Sequence, residues 1–116
     1  MKEYMLIFRN YQAAFDSLAP AELDQVLAEF LRWNEALRAE DRLVELGRLS
    51  RDPGHTLRKD SAGVVTLDGP YAEAREAIGG YYRIRAQDIE ELRALAGRCP
   101  VLQYGGVVEV REVADP

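Results

Sequence analysis

"GYYRIRAQDIEELRALAG", residues 80 to 97, passes from a strand pattern straight into a helix pattern, and that hand-over decides the fold. Gly80 to Ala86 reads as extended chain, because successive residues divide into two chemically distinct sets at a period of two. Tyr82, Ile84 and Ala86 form one set, suited to a helix layer. Tyr81, Arg83 and Arg85 form the other, an aromatic with two cations. Asp88 followed by Glu91 is an aspartate version of the capping box, so a helix begins there. It buries Ile89, Leu92, Leu95 and Ala96, and Gly97 with Pro100 ends it.

Outward from this unit, "YMLIF" (Tyr4 to Phe8) reads as a buried strand. Pro20 takes the first position of a long helix, with Ala19 as a poor N-cap and Glu22 as a favourable first-turn acid. Leu23, Val26, Leu27, Phe30, Asn34 and Leu37 recur along one stripe of that helix. Leu31 and Trp33 flank the stripe and widen it beyond a single sheet contact, so a second surface, such as a partner subunit, is expected to cover the surplus. Asn34 needs either a hydrogen-bond partner in the core or a polar cavity. "RLVELGRLS" (Arg42 to Ser50) reads as a strand with a weak point at Gly47. "HTLRKDSAGVVTL" reads as a hairpin turning at Asp60 to Gly63, and "VVEVREV" (Val107 to Val113) supplies a final strand.

This order predicts one α+β domain over residues 1–116, of the split βαβ or ferredoxin-like kind. Its helices cover one sheet face, and the other meets water, a ligand or a second subunit. Val64, Thr66 and Asp68 share one side of their strand. If that side is continuous with Tyr81 and Arg83, the open face carries a polar cluster, but strand register is not written locally.

The totals narrow the function. At 116 residues, 47% hydrophobic and 30% charged, the chain is large enough for one core and too apolar to be disordered. A net charge of −5 argues against a nucleic-acid footprint, which needs clustered Lys and Arg. Cys99 is the only cysteine, so no intrachain disulfide forms, in keeping with a reducing compartment. The apolar run in "MKEYMLIFRN" is too short for a signal peptide or membrane span. A cytoplasmic protein with no membrane or direct nucleic-acid partner is expected. One histidine and scattered acids lack metal-ligand spacing. With no Walker A or GxGxxG sequence, no nucleotide cofactor is expected either.

Candidate site residues cluster around "DGPYAEAREAIGGYY" (68 to 82). Asp68-Gly69-Pro70 is a turn signal, and it also sets a carboxylate at a strand end, a base if desolvated. Glu73 and Glu76 flank Arg75, as a local ion-pair set or as a ligand-binding wall. Gly79 and Gly80 permit close backbone approach. His55, the only histidine, follows the loop "RDPG" and is either a surface residue or a proton-transfer group. With Asp68 and Ser50 or Ser61 it would complete a triad, but no nucleophile-elbow sequence accompanies it. On the open face, Arg83 or Arg85 would hold an anionic substituent, and Tyr81 would donate to developing negative charge. Cys99, before Pro100, reads as a packing residue.

"LDGPYAEAREAIGGYYRI" resembles the signature of the DGPF-type members of the YCII-related family. "MKEYMLIF" is similar to the family's opening strand, "LAPAELDQVLAEFLRWNEALR" to its first helix, and "RCPVLQYGGVVEVREV" to its last strand. The resemblance implies a ferredoxin-like domain that pairs into a dimeric α/β barrel enclosing a cavity. It also implies a likeness of the wider family to muconolactone isomerase-like enzymes, with a His-Asp pair proposed at the family's site. Asp68 matches the aspartate of the motif. The family's histidine, soon after the first strand, has no counterpart in "RNYQAAFDS". Tyr71 replaces the motif's Phe, Arg75 stands where Lys is common, and Glu112 replaces a Pro. The function implied is a homodimer whose polar pocket binds or transforms a small organic acid or lactone-like molecule by proton transfer, with Asp68 as base. The alternative is a non-catalytic ligand sensor linked to transcription through protein contacts.

Overall fold

The structure is a computed structural model that describes residues 1–69 and 77–115. In chain order it contains β1 (Lys2–Arg9), α1 (Tyr11–Asp16), α2 (Pro20–Ala39), β2 (Leu43–Arg48), β3 (His55–Asp60), β4 (Gly63–Asp68), β5 (Ile78–Ala86), α3 (Ile89–Ala96) and β6 (Val107–Glu112). A 3-10 turn, Pro100–Tyr104, leads into β6. β2, β5, β1 and β6 form an antiparallel sheet in the order β2-β5-β1-β6, the ferredoxin-like arrangement, while β3 and β4 pair only with each other.

Each element has a local cause. Pro20 opens α2, and the Glu22 carboxylate accepts from the Ala19 N–H at 3.0 Å, offsetting the weak cap. Asp88 accepts from the Glu91 N–H at 2.9 Å and starts α3. Glu91 reaches back to the Gln87 N–H at 3.1 Å and also accepts from Arg42. That guanidinium donates to the Arg85 carbonyl as well, tying the start of β2 to the end of β5 and the start of α3. α1 was not foreseen: "YQAAFD" has no side-chain cap and buries no residue fully. It is held by Tyr11 and Phe15, which meet at 4.9 Å and pack against the core.

The core lies between the sheet and the helices. β1 contributes Tyr4, Leu6 and Phe8, and β5 contributes Tyr82, Ile84 and Ala86. Trp33 and Leu37 of α2, Leu92 and Ala96 of α3, Cys99 and Val101 complete it. The alternation read in "GYYRIRA" holds, with Tyr82, Ile84 and Ala86 buried and Tyr81, Arg83 and Arg85 on the opposite face. Fully burying a Leu or Ile such as Leu6, Ile84 or Leu92 contributes about 1.5–3 kcal/mol.

The hairpin does not extend the main sheet. β5 already has β1 on one side and β2 on the other, which leaves no edge for β4. Thr66 and Asp68 therefore share no sheet face with Tyr81 and Arg83, and the condition for a joint polar cluster is not met. The helix stripe also divides. Val26, Trp33 and Leu37 are buried, whereas Leu27 and Leu31 remain 56% and 62% exposed.

Candidate functional site

The open face of the sheet is a lattice of satisfied charges. Arg83 donates to Glu3 at 2.6 Å and to Glu45 at 3.1 Å, bridging β1 and β2 across β5. The Tyr81 hydroxyl donates to Glu45 at 3.2 Å, which raises its pKa above the usual phenol value. Its ring lies across Gly47, where a Cβ would come within 2.4 Å of a ring carbon. Arg85 donates to the Asp41 carbonyl at 3.1 Å. Three of the five side chains named as ligand contacts, Tyr81, Arg83 and Arg85, thus share this face, but each already has a protein partner. The buried Nε of Arg83 is the exception, with no acceptor among the described residues.

The concave feature is on the other side. A groove of about 850 Å³ runs between α2 and the β2 edge of the sheet. Phe8, Gly80, Tyr82, Leu46 and Arg48 line its sheet side. Leu23, Val26, Leu27, Phe30, Leu31 and Asn34 line its helix side, and Tyr11, Gln12 and Phe15 of α1 close one end with residues 49–51. The β2–β5 register explains the floor: Leu46 faces Tyr82, and Arg48 faces Gly80. Gly80 is closely packed there: a Cβ on it would come within 3.1 Å of the Gly47 carbonyl oxygen and 3.5 Å of the Phe8 ring. Gln12 donates to the Leu49 and Ser50 carbonyls at 3.3 and 3.5 Å, bracing the chain at the mouth.

Tyr82 links groove and core. Trp33 packs on it at 4.8 Å and Phe8 at 5.3 Å, and its hydroxyl donates to Asn34 Oδ1. Burial pushes its phenol pKa up to about 12, so the hydroxyl stays a donor at neutral pH. Both readings of Asn34 meet here, since it has a hydrogen-bond partner and it lines the groove. Its Nδ2 has no protein acceptor among the described residues. Arg51 pairs with Asp16 at 2.7 Å and holds that carboxyl below its usual range. Arg48, exposed beside it, has no ion-pair partner among the described residues.

The base of the hairpin holds the remaining candidates. His55 and Asp68 are cross-strand partners, with Nδ1 and Oδ1 3.3 Å apart. Their side chains are 61% and 100% exposed, and neither lines the groove. The Gly69 N–H donates to the Gly54 carbonyl at 2.8 Å, and Thr56 Oγ1 donates to the Gly69 carbonyl at 2.8 Å, closing the hairpin. Glu73 and Glu76, with Tyr71 and Arg75, lie outside the described residues. Among the described residues no group of His, Cys, Asp and Glu is placed to hold a metal ion, and no helix is long and apolar enough to cross a membrane. Cys99 is buried, which pushes its thiol up to about 12 and leaves it an inert packing residue.

Arg48 was missed in the sequence because nothing near it in "LVELGRLS" differs from an ordinary strand end. Its significance arises from Gly80 across the sheet and from α2 above. The usable signal was the alternation of Leu46 and Arg48 around Gly47, which sets both on one face.

Fold and groove define a class: a small ferredoxin-like α+β domain with an apolar, cation-rimmed cleft between its long helix and sheet. A model of the YCII-related domain matches residues 3–115, and the chain belongs to that family. No curated protein matches the chain.

Proposed function

We infer that this protein binds a small organic acid in the groove between α2 and β2. The observation that carries the reading is a cleft of about 850 Å³ beside Arg48, which has no ion-pair partner among the described residues. Ligand sites are commonly concave, mostly apolar and marked by a few polar groups, and this cleft has that composition. A thermal-shift series of small carboxylic acids tests it. A ligand that binds only the folded state at a hundred times its Kd adds about 2.7 kcal/mol, which several degrees of melting-temperature increase would report. No shift across short, branched, cyclic and aromatic acids would refute the reading.

Ligand sensing fits the site better than catalysis. A general base needs desolvation or a tuned environment, whereas Asp68 is fully exposed and away from the groove. A second reading is favoured by the 3.3 Å contact of His55 with Asp68: the pair transfers a proton to or from a bound lactone-like molecule. Asp68→Asn separates the two. Unchanged acid-induced stabilisation with no loss of any turnover supports sensing, and loss of turnover with binding retained supports the dyad.

We place the chain in the DGPF subgroup on the strength of Asp68-Gly69-Pro70, and in the cytoplasm in keeping with its single buried thiol. The proposed assembly is a homodimer formed through the open sheet face. What supports it is that Arg83 pairs with both Glu3 and Glu45 there, so covering the face leaves none of the three without an ion-pair partner.

A further inference from the structure

We propose that the groove ligand is an amphipathic monocarboxylate: an alkyl or aryl body with one carboxylate, seated on Arg48, and an acceptor within reach of the Asn34 amide. This inference rests on the binding function assigned to the groove and narrows its chemistry.

Charge comes first. The protein carries a net charge of −5, yet the groove is lined by two arginines and by no aspartate or glutamate among the described residues. Asp16 occupies Arg51. Arg48 has no ion-pair partner among the described residues and stands at the rim opposite Gly80. One cation without a partner among the described residues matches one negative charge. A dianion such as a phosphate monoester would keep excess charge against an apolar wall, at a desolvation cost. A protonated amine would meet Arg48 with like charge and find no lining carboxylate among the described residues.

The hydrogen-bond inventory points the same way. Tyr82 spends its proton on Asn34 Oδ1, and Gln12 spends its amide donors on main-chain carbonyls. Of the lining side-chain groups left over, the Arg48 guanidinium and Asn34 Nδ2 can only donate, Gln12 Oε1 accepts, and the Tyr11 and Ser50 hydroxyls do either. A ligand rich in acceptors and poor in donors satisfies the two that only donate. Carboxylate on guanidinium is also the pairing with the best geometric match, through two parallel N–H···O bonds.

The body of the ligand follows from the rings. Phe8, Phe15, Phe30, Tyr11 and Tyr82 form a continuous aromatic wall, with neighbouring centroids 4.9–6.4 Å apart. Leu27 and Leu31 overhang it with most of their surface exposed. An alkyl chain or a ring removes that surface from water, and a small hydrophilic acid would not.

Trp33 is the only tryptophan and packs directly on Tyr82, so its fluorescence reports occupancy of the groove. Octanoate, octanamide and octylamine are titrated against the full chain at neutral pH. Octanoate is expected to bind at least tenfold more tightly than octanamide, and octylamine more weakly than either. Arg48→Gln should remove the preference for octanoate over octanamide. Leu31→Glu, which sets a negative charge on an exposed rim position, should weaken octanoate and spare octanamide. Circular dichroism confirms that both variants fold.

Equal binding of octanoate and octanamide would overturn the anion assignment while leaving the groove a ligand site. An octanoate preference that survives Arg48→Gln would overturn the role of Arg48. No binding of any probe at millimolar concentration would overturn both this proposal and the groove function beneath it.

Discussion

Removing the hydroxyl of Tyr82 deletes its bond to Asn34 and leaves the ring against Trp33 and Phe8. Tyr82→Phe should therefore cost about 0.5–1.5 kcal/mol in denaturant unfolding, the net worth of one hydrogen bond. Asn34 borders the groove, so solvent can serve its freed carbonyl and the cost stays within that range. The same tyrosine and Cys99 set an alkaline limit. Burial raises both, from 10.0 and 9.0 to about 12 in each case. The unfolded chain then loses these protons at lower pH than the folded one. Their contribution is fully present below pH 9 and is lost as pH rises from 9 to 12. Stability measured by urea titration across that window should fall with pH, and Tyr82→Phe should flatten part of the slope. Arg48 was illegible at this scale, because an arginine after Gly47 looks like any solvated strand end until Gly80 is set opposite it.

Among the elements, α3 offers the cleanest test of local causes. Asp88→Ala removes the acceptor for the Glu91 N–H and should cost about 1 kcal/mol, a few degrees in melting temperature. This cap was legible, as were the Pro20 start of α2 and the two faces of β5, because each is written within a few residues. What stayed hidden needed long-range information. α1 is a single uncapped segment whose rings find the core only after folding. The β3–β4 hairpin was readable as a hairpin, but its separation from the main sheet was not. That follows from β5 having both neighbours filled, by β1 from the start of the chain and by β2 from before the hairpin. The helix stripe was readable too. Its division into a buried row and the row of Leu23, Leu27 and Leu31 along the groove depends on where the sheet edge lies.

For the whole molecule, the open sheet face predicts self-association. Light scattering at micromolar concentration should give twice the 13.1 kDa chain mass. Ile7→Glu places a charge on that face beside Tyr81 and away from the core, so it should yield a folded monomer. A monomeric mass for the unchanged protein would remove the dimer from the functional scheme without touching the groove.

The position of β1 between β5 and β6 has a consequence during synthesis. Lys2 pairs with Ala86, and Tyr4 with Glu112, so the first strand made depends on the last ones. At ribosomal speeds of ~5–20 residues per second, "YMLIF" waits on the order of ten seconds before its neighbours exist. Through that interval its edges and apolar side chains have no sheet to join. Nascent chains halted before residue 78 should accordingly be protease-sensitive and bound by chaperones, and chains in which β5 and β6 have emerged should be neither. With β1 between β5 and β6, the four-stranded sheet closes only after residue 112 has been made.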